Sequence, residues 1–340
     1  MKAINKSAIA FGALLAATSN SAYSADPKVS FYGLLDVYLG SVKAEGADNR
    51  ALVVNSSGMT TSYIGVSTKI DLGGGLSGVA ALESFLRPDT GGAGRSDDDE
   101  FYARDAFIGL EGGFGSVTFG RNTTPYFISV ITTNPFGGSF GFGPSIKHSF
   151  LGGLQGDSGW GNSVLYGSPS WGGLKGSLLY SAGEKAGDTG LSKVGASAFY
   201  SVGKFHSTVA YQTVDTQIDV PTAANDDKQT AALLGADYNF GAVKAFGQYQ
   251  KMKTTATTGD VSYKTYQLGA SVPFGKSSVL VSYAHTSISA ATDSTYKTFA
   301  LGYDITLNKK LDLYAVAYSD DHSDVDGTGN GLALGGRLQF

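Results

Sequence analysis

From Val29 onward the chain alternates apolar and polar side chains with period two, a pattern that a helix of 3.6 residues per turn cannot use. Val29, Phe31, Leu35, Val37 and Leu39 share one parity against Ser30, Tyr32 and Asp36. Ala232, Leu234, Ala236, Tyr238 and Phe240 are opposed to Gly235, Asp237 and Asn239. Tyr266, Leu268, Ala270, Val272 and Phe274 are opposed to Thr265, Gln267, Gly269 and Ser271. Composition agrees with a β protein. Charged residues are 16% of the 340 residues, against about 25% in an average protein, and there are 48 Gly, 19 Tyr and 19 Phe. That wealth of aromatics excludes intrinsic disorder. No apolar run approaches the ~18 residues of a membrane-spanning helix.

The connections are of two alternating kinds. Tight turns fall at 73–75, 112–115, 171–173, 203–204, 241, 275–277 and 308–310. Longer polar loops fall at 40–58, 88–99, 123–160, 183–190, 216–227, 254–260, 288–294 and 320–328. Seven turns and eight loops join sixteen strands, and an even count puts both chain ends on the short-turn side. A secreted sandwich or propeller would share the alternation and the turns. It would not explain why the apolar parity ends on aromatics at Phe114, Tyr238, Phe240, Phe274 and Phe340, nor why the second face is rich in Gly, Ser, Thr, Gln and Asp. Interfacial aromatic girdles and a water-lined interior explain both. The expected fold is all-β, a 16-stranded antiparallel transmembrane β-barrel.

The N-terminus carries an address. Lys2 and Lys6 precede an apolar run over 8–17 that is too short to span a bilayer, and Ala22-Tyr23-Ser24 offers small residues at a cleavage site. This reads as a signal peptide over 1–24 before a barrel domain over 25–340. Loss of both lysines takes the formal charge from −4 to −6, with no footprint for nucleic acid. With no cysteine, neither a disulfide framework nor a zinc-thiolate site can form.

Several motifs mislead. Gly73-x-Gly75-x-x-Gly78 matches a dinucleotide fingerprint but sits in a hairpin turn, with no helix to follow. Asp324-Val325-Asp326-Gly327 resembles a calcium loop, yet Ala333 stands where the bidentate acid belongs. The four histidines are scattered, and neither a nucleophile elbow nor a paired-carboxylate motif occurs. No cofactor, metal centre or enzymatic activity is expected. The acidic run Asp97-Asp98-Asp99-Glu100 reads as a solvated loop, or as a divalent-cation site toward lipopolysaccharide or a neighbouring subunit.

Nearly all of the chain after the leader resembles the trimeric general porins of Gram-negative outer membranes, in their β-proteobacterial form. The carriers are Val29-Ser30-Phe31-Tyr32-Gly33, Ser62-Tyr63-Ile64-Gly65-Val66, Arg104-Asp105-Ala106-Phe107-Ile108-Gly109-Leu110 with the run from Gly112 to Arg121, Asn162-Ser163-Val164-Leu165-Tyr166, and the ending Leu334-Gly335-Gly336-Arg337-Leu338-Gln339-Phe340. The resemblance implies a homotrimer among outer-membrane lipids, passive diffusion of small hydrophilic solutes, and a third loop folded into the lumen. A preference for sugars or aromatic acids, and a plugged structural or adhesive barrel, are the alternatives. The terminal Phe340 resembles the signal read by the barrel-assembly machinery and also suits the interface girdle.

The third loop supports its own inward fold. It spans 123–160 and carries Tyr126, Phe127, Ile128, Phe136, Phe140, Phe142, Phe150 and Trp160, which require a surface to pack against. For the constriction, alignment of the motifs puts Arg104 on the lumen wall, on the parity of Ala106 and Ile108, with Phe107 toward lipid. Arg121 matches the Gly-Arg before the third loop, and Arg87 shares the parity of Glu83. Tyr63 and Leu165 stand where the family usually has Arg. Asn134-Pro135-Phe136-Gly137-Gly138 replaces an element that usually carries an acid. Asp36, Tyr63, Glu83, Arg87, Arg104, Arg121, Asn134 and Phe136 are therefore the candidate constriction residues. A basic wall facing a neutral, aromatic loop predicts a modest anion preference with Arg104 and Arg121 as its source, since exposed loop acids are screened beyond ~8 Å.

Overall fold

The computed structural model describes residues 27–184, 191–215, 227–256 and 259–340. The leader expected over 1–24 and most of the loops expected at 183–190 and 216–227 lie outside the described residues. Among the described residues, sixteen long strands form one closed antiparallel sheet. The first eight are Lys28–Lys43 (β1), Tyr63–Gly73 (β2), Leu76–Arg87 (β3), Ala106–Gly112 (β4), Gly115–Thr123 (β5), Gly159–Gly167 (β6), Leu174–Ser181 (β7) and Lys193–Val202 (β8). The second eight are Phe205–Asp215 (β9), Lys228–Asn239 (β10), Lys244–Thr255 (β11), Val261–Phe274 (β12), Ser277–Ser289 (β13), Ser294–Asn308 (β14), Leu311–His322 (β15) and Gly329–Gln339 (β16). Two short loop strands, Ala51–Ser56 and Gly92–Ala93, stand outside the barrel count.

Closure is made by β1. Its first half pairs with β2, from Lys28↔Lys69 to Leu34↔Tyr63. Its second half pairs with β16, from Leu34↔Gln339 to Lys43↔Asn330. Beyond the last strand residue, the Phe340 N–H donates to the Gly33 carbonyl (3.1 Å) and the Gly33 N–H donates back (3.3 Å). The Phe340 ring sits 5.8 Å from that of Phe31.

The barrel is inverted relative to a water-soluble protein. Phe31 (68%), Ile108 (68%) and Leu268 (70%) are exposed on the outside, whereas Gln212, Gln229, Gln250 and Gln267 are buried inside. The outer parity faces lipid and bears the apolar cost, so the inner parity is free to be polar.

Loop 3, residues 124–158, folds into the interior and holds two short helices, Pro125–Thr132 (α1) and Pro144–Ser149 (α2). The Thr124 hydroxyl caps α1 by accepting from the Phe127 N–H (3.1 Å), and Pro125 begins it, a pairing suited to a helix start. One face of the loop lies on the inner wall of β9–β12. Tyr126, Val130 and Ile146 are completely buried there with Leu233 and Met252. Each such side chain contributes about 1.5–3 kcal/mol by burial.

The wall glutamines satisfy the loop's polar groups. Gln248 Nε2 donates to the Val130 carbonyl (2.7 Å), Gln250 Oε1 accepts from Tyr126 (3.1 Å) and Ser149 (2.7 Å), and Gln229 Oε1 accepts from the Gln155 N–H (2.7 Å). A side chain at Gly235 would place its Cβ 2.3 Å from the Thr133 hydroxyl, so only glycine lets the loop approach there.

Candidate functional site

Opposite the docked face, loop 3 leaves a cavity of about 310 Å3 between Phe127, Ile128, Ile131 and Phe140 on the loop and Tyr63, Phe85 and Arg104 on the wall. Phe127, Phe140 and Phe150 pack as a triad with centroids 5.1–6.2 Å apart. A second cavity of about 300 Å3 shares Thr60 and Gly138 with the first and is lined by Lys276, Asp304 and Arg337 nearer the short turns. Thr60 and Gly138 thus stand between Arg104 in one cavity and Arg337 in the other.

Arg104 reaches the lumen by a route that parity does not describe. Ala106 and Ile108 register with Leu82 and Ala80 on the outer face, where Ile108 and Leu82 are exposed. Phe107 shares the opposite face with Ala81. The expected parity is therefore reversed within β4. Just before the strand, Glu83 opposes two residues at once: its N–H donates to the Asp105 carbonyl (2.7 Å) and its carbonyl accepts from the Arg104 N–H (3.3 Å). A two-against-one bulge re-aims a side chain, and here it turns Arg104 inward. Its guanidinium lies 4.0 Å over the Tyr63 ring and forms an ion pair with Glu83, whose other oxygen accepts from Tyr32. Tyr63, read as the loss of a cation, is the platform for one.

Arg121 follows a second irregularity, the register shift between Gly120 and Asn122. Gly120 has φ +133°, and a Cβ there would lie 2.2 Å from the Ala106 carbonyl, so the position excludes any other residue. Arg121 donates to the Ala103 carbonyl (2.5 Å) and to Asp157 (3.0 Å) at the end of loop 3. Asp157 also takes two hydrogen bonds from Arg95 (2.7 and 2.8 Å), which holds Asp99 in the same way with its other edge. Burial alone would raise the Asp157 pKa, but Arg95 and Arg121 outweigh it and hold it at about 2. Asp99 is likewise held below the usual carboxylate range, first by its hydrogen bonds from Arg95. Lys147, the other charge of the loop, pairs with Asp320 on β15 rather than offsetting Asp157.

Four expected residues have structural partners of their own, and of these Phe136 also lines the second cavity. Asp36 is fully buried: Oδ1 accepts from the Gly58 N–H (3.1 Å) and the Tyr314 hydroxyl (2.5 Å), and Oδ2 from the Met59 (2.9 Å) and Thr60 (2.7 Å) N–H groups. It pins the return of loop 1, residues 44–62, because four donors converge on it. Arg87, the last residue of β3, is held by Asp97 and the Ala93 carbonyl of loop 2, residues 88–105. Asn134 ties a turn within loop 3, donating to the Val130 (2.8 Å) and Gly137 (3.0 Å) carbonyls and accepting from the Phe136 N–H (2.8 Å). Phe136 is 2% exposed and packs with Leu280 and Ala300, anchoring the loop tip. Glu83, Tyr63, Arg104 and Arg121 cluster at the wall and the loop's root.

Sequence reasoning missed two components. Arg95 lies in a glycine-rich loop with no periodicity to place it. Arg337 appeared only as part of the terminal motif, though it pairs with Asp304 and, at 3.5 Å, with Asp312. The inward glutamines were legible as a parity, since Gln248, Gln250 and Gln267 fall on the polar face of their strands.

A family profile described as Gram-negative porin matches residues 10–325. The chain is 29% identical over 281 residues to outer membrane porin protein 32 of Delftia acidovorans, covering 80% of this chain and 77% of that one. It is 23% identical over 299 residues to a monosaccharide porin of a Halomonas species, covering 83% and 78%. The solved structure of an anion-selective porin from Comamonas acidovorans superimposes with a TM-score of 0.82 at 26% identity, covering 93% of this chain and all of the other.

Proposed function

Because the chain belongs to the Gram-negative porin family and forms an outer-membrane channel, we propose that it passes small hydrophilic solutes with a modest preference for anions through the gap beside Arg104. The observation that carries this is an asymmetry of exposure. The Arg104 side chain is 32% exposed to the cavity, whereas that of its partner Glu83 is 8% exposed behind it. An ion in the gap therefore meets the guanidinium ahead of Glu83; the facing loop surface offers mainly aromatic and aliphatic groups with the Ser158 hydroxyl, and the Asp105 carboxylate on the wall is engaged by Thr123. The anion selectivity of the Comamonas neighbour supports the same sign. Arg121, engaged by Ala103 and Asp157, braces the loop and contributes less.

Reversal potentials across a salt gradient test the reading. Anion preference that is stronger in dilute salt and falls in Arg104→Ala is expected; cation preference in the wild type overturns it. We read the chain as a channel without a catalytic role, assembled as a homotrimer, with Phe340 as both seam residue and recognition signal for the barrel-assembly machinery.

A further inference from the structure

We propose that the outer face of β11 and β12 binds the phosphate-bearing headgroup of an outer-leaflet glycolipid, with Lys251 and Lys264 as its ionic contacts. The inference rests on the barrel standing in the outer membrane and is independent of which ions cross it.

The two lysines are direct cross-strand partners, Lys251↔Lys264, and both are exposed. Their neighbours Gln250, Met252 and Thr265 are buried inside, while Tyr266 (55%) and Leu268 (70%) are exposed outside, which fixes the lysines on the lipid side. Like charges directly opposite one another on a sheet repel. Nearby cations are relieved by acids: Lys253 by Asp260 (2.6 Å) and Lys297 by Asp321 (3.7 Å). Among the described residues, Lys251 and Lys264 have no ion-pair partner. An anion supplied from outside the chain would turn that repulsion into a shared contact.

The vertical order of the face says where the anion comes from. Leu268, then the packed pair Tyr249–Tyr266 (centroids 5.0 Å apart), then Lys251–Lys264 and finally loop 256–260 follow one another toward the long-loop end. Hydrocarbon, aromatic girdle and headgroup phosphate occupy the same order in a leaflet, and the lysines stand about 7 Å above the tyrosines at ~3.3 Å per residue. A lysine beside the aromatic belt meets phosphate by extending toward the interface.

The position also relocates the lipid contact that the acidic run of loop 2 suggested. In the closed strand order β11 and β12 stand eight strands away from β3 and β4, which flank that loop. Asp97 and Asp99 are there engaged by Arg87 and Arg95.

The test compares the wild type with the Lys251→Gln/Lys264→Gln double variant, both extracted in mild detergent and reconstituted into phosphatidylethanolamine vesicles containing bisphosphorylated lipid A or its dephosphorylated form. Retained glycolipid is counted by native mass spectrometry. The wild type should retain the phosphorylated lipid on the order of tenfold better than the double variant. The dephosphorylated lipid should show no difference between them. Conductance, set inside the barrel, should be equal in both, and Lys253→Gln/Lys297→Gln should retain lipid as the wild type does. Equal retention by the double variant, or equal wild-type retention of both lipids, overturns the proposal. Displacement of the lipid by millimolar inorganic phosphate alone reassigns the site to free phosphate and overturns the lipid assignment. If the double variant assembles poorly, Lys264→Gln alone carries the same comparison.

Discussion

Loop 3 has two faces, and they are held by different physics. The docked face buries Tyr126, Val130 and Ile146 and gives its backbone carbonyls to wall glutamines, so nearly every group is either dry or paired. The pore face presents Phe127, Ile128, Ile131 and Phe140 to a water-filled gap, with one exposed guanidinium across from them. On the proposed function, the first face sets whether the loop is in place and the second sets what passes once it is. A substitution on one should therefore change a different observable from a substitution on the other.

The largest effect is expected on the docked face. Tyr126→Ala leaves a cavity in fully buried packing and removes one of the two hydrogen bonds to Gln250 Oε1, at a cost of about 3–5 kcal/mol. Loop 3 should become protease-sensitive and single-channel current noisy, with selectivity degraded only as a consequence. Quiet, wild-type current in that variant would erase the distinction between the faces.

On the pore face, Arg104→Ala should lower the anion-to-cation permeability ratio severalfold while leaving heat stability and loop protection unchanged. Arg121→Ala should do the converse, loosening the loop through Asp157 with a smaller change in selectivity. Measuring both properties on both variants sharpens the comparison, since a common profile would mean that the two arginines act as one cluster.

Acid tests the docked face again. His148 in α2 is fully buried between the Thr286 (2.6 Å) and Thr298 (3.0 Å) hydroxyls and stacked on Tyr296, and burial pushes its pKa down to about 3. Docked, it stays neutral; released, it binds a proton near its ordinary 6.5. Docking is therefore strongest above about pH 6.5, weakens as the pH falls, and levels off near 3. By pH 5 the docking equilibrium should have shifted toward release by about thirtyfold relative to neutral pH, visible as closing events. His148→Gln should flatten that dependence.

The smallest effect belongs to Arg87→Ala. Its partner Asp97 is 92% exposed in loop 2, and such a pair contributes at most about 1 kcal/mol. Selectivity should stay within measurement error of the wild type, and a clear shift would place Arg87 on the solute's path after all.

The barrel was legible because period two repeats over every strand and each slip would turn an apolar face inward. Turn chemistry supplied the strand count for the same reason, since Gly74 and Gly75 or Gly275 and Lys276 leave no room for other structure. The site was less legible because it is built from departures from that period. Arg104 is turned by a bulge at Glu83, and Arg121 follows the register shift after Gly120. Asp36 has the parity of a pore residue but the partners of a buried clasp, and parity does not report how many N–H groups converge on a carboxylate. Arg95 lies on no strand at all, so only the folded loops bring it to Asp157.

The seam between β1 and β16 has a temporal meaning. It joins the first strand of the barrel to its last, along the register from Leu34↔Gln339 to Lys43↔Asn330. Until both strands exist, the sheet keeps two raw margins able to pair with any neighbouring strand. Fourteen strands must therefore wait as an open ribbon, adhesive along both sides, for a partner made long after the strand it joins.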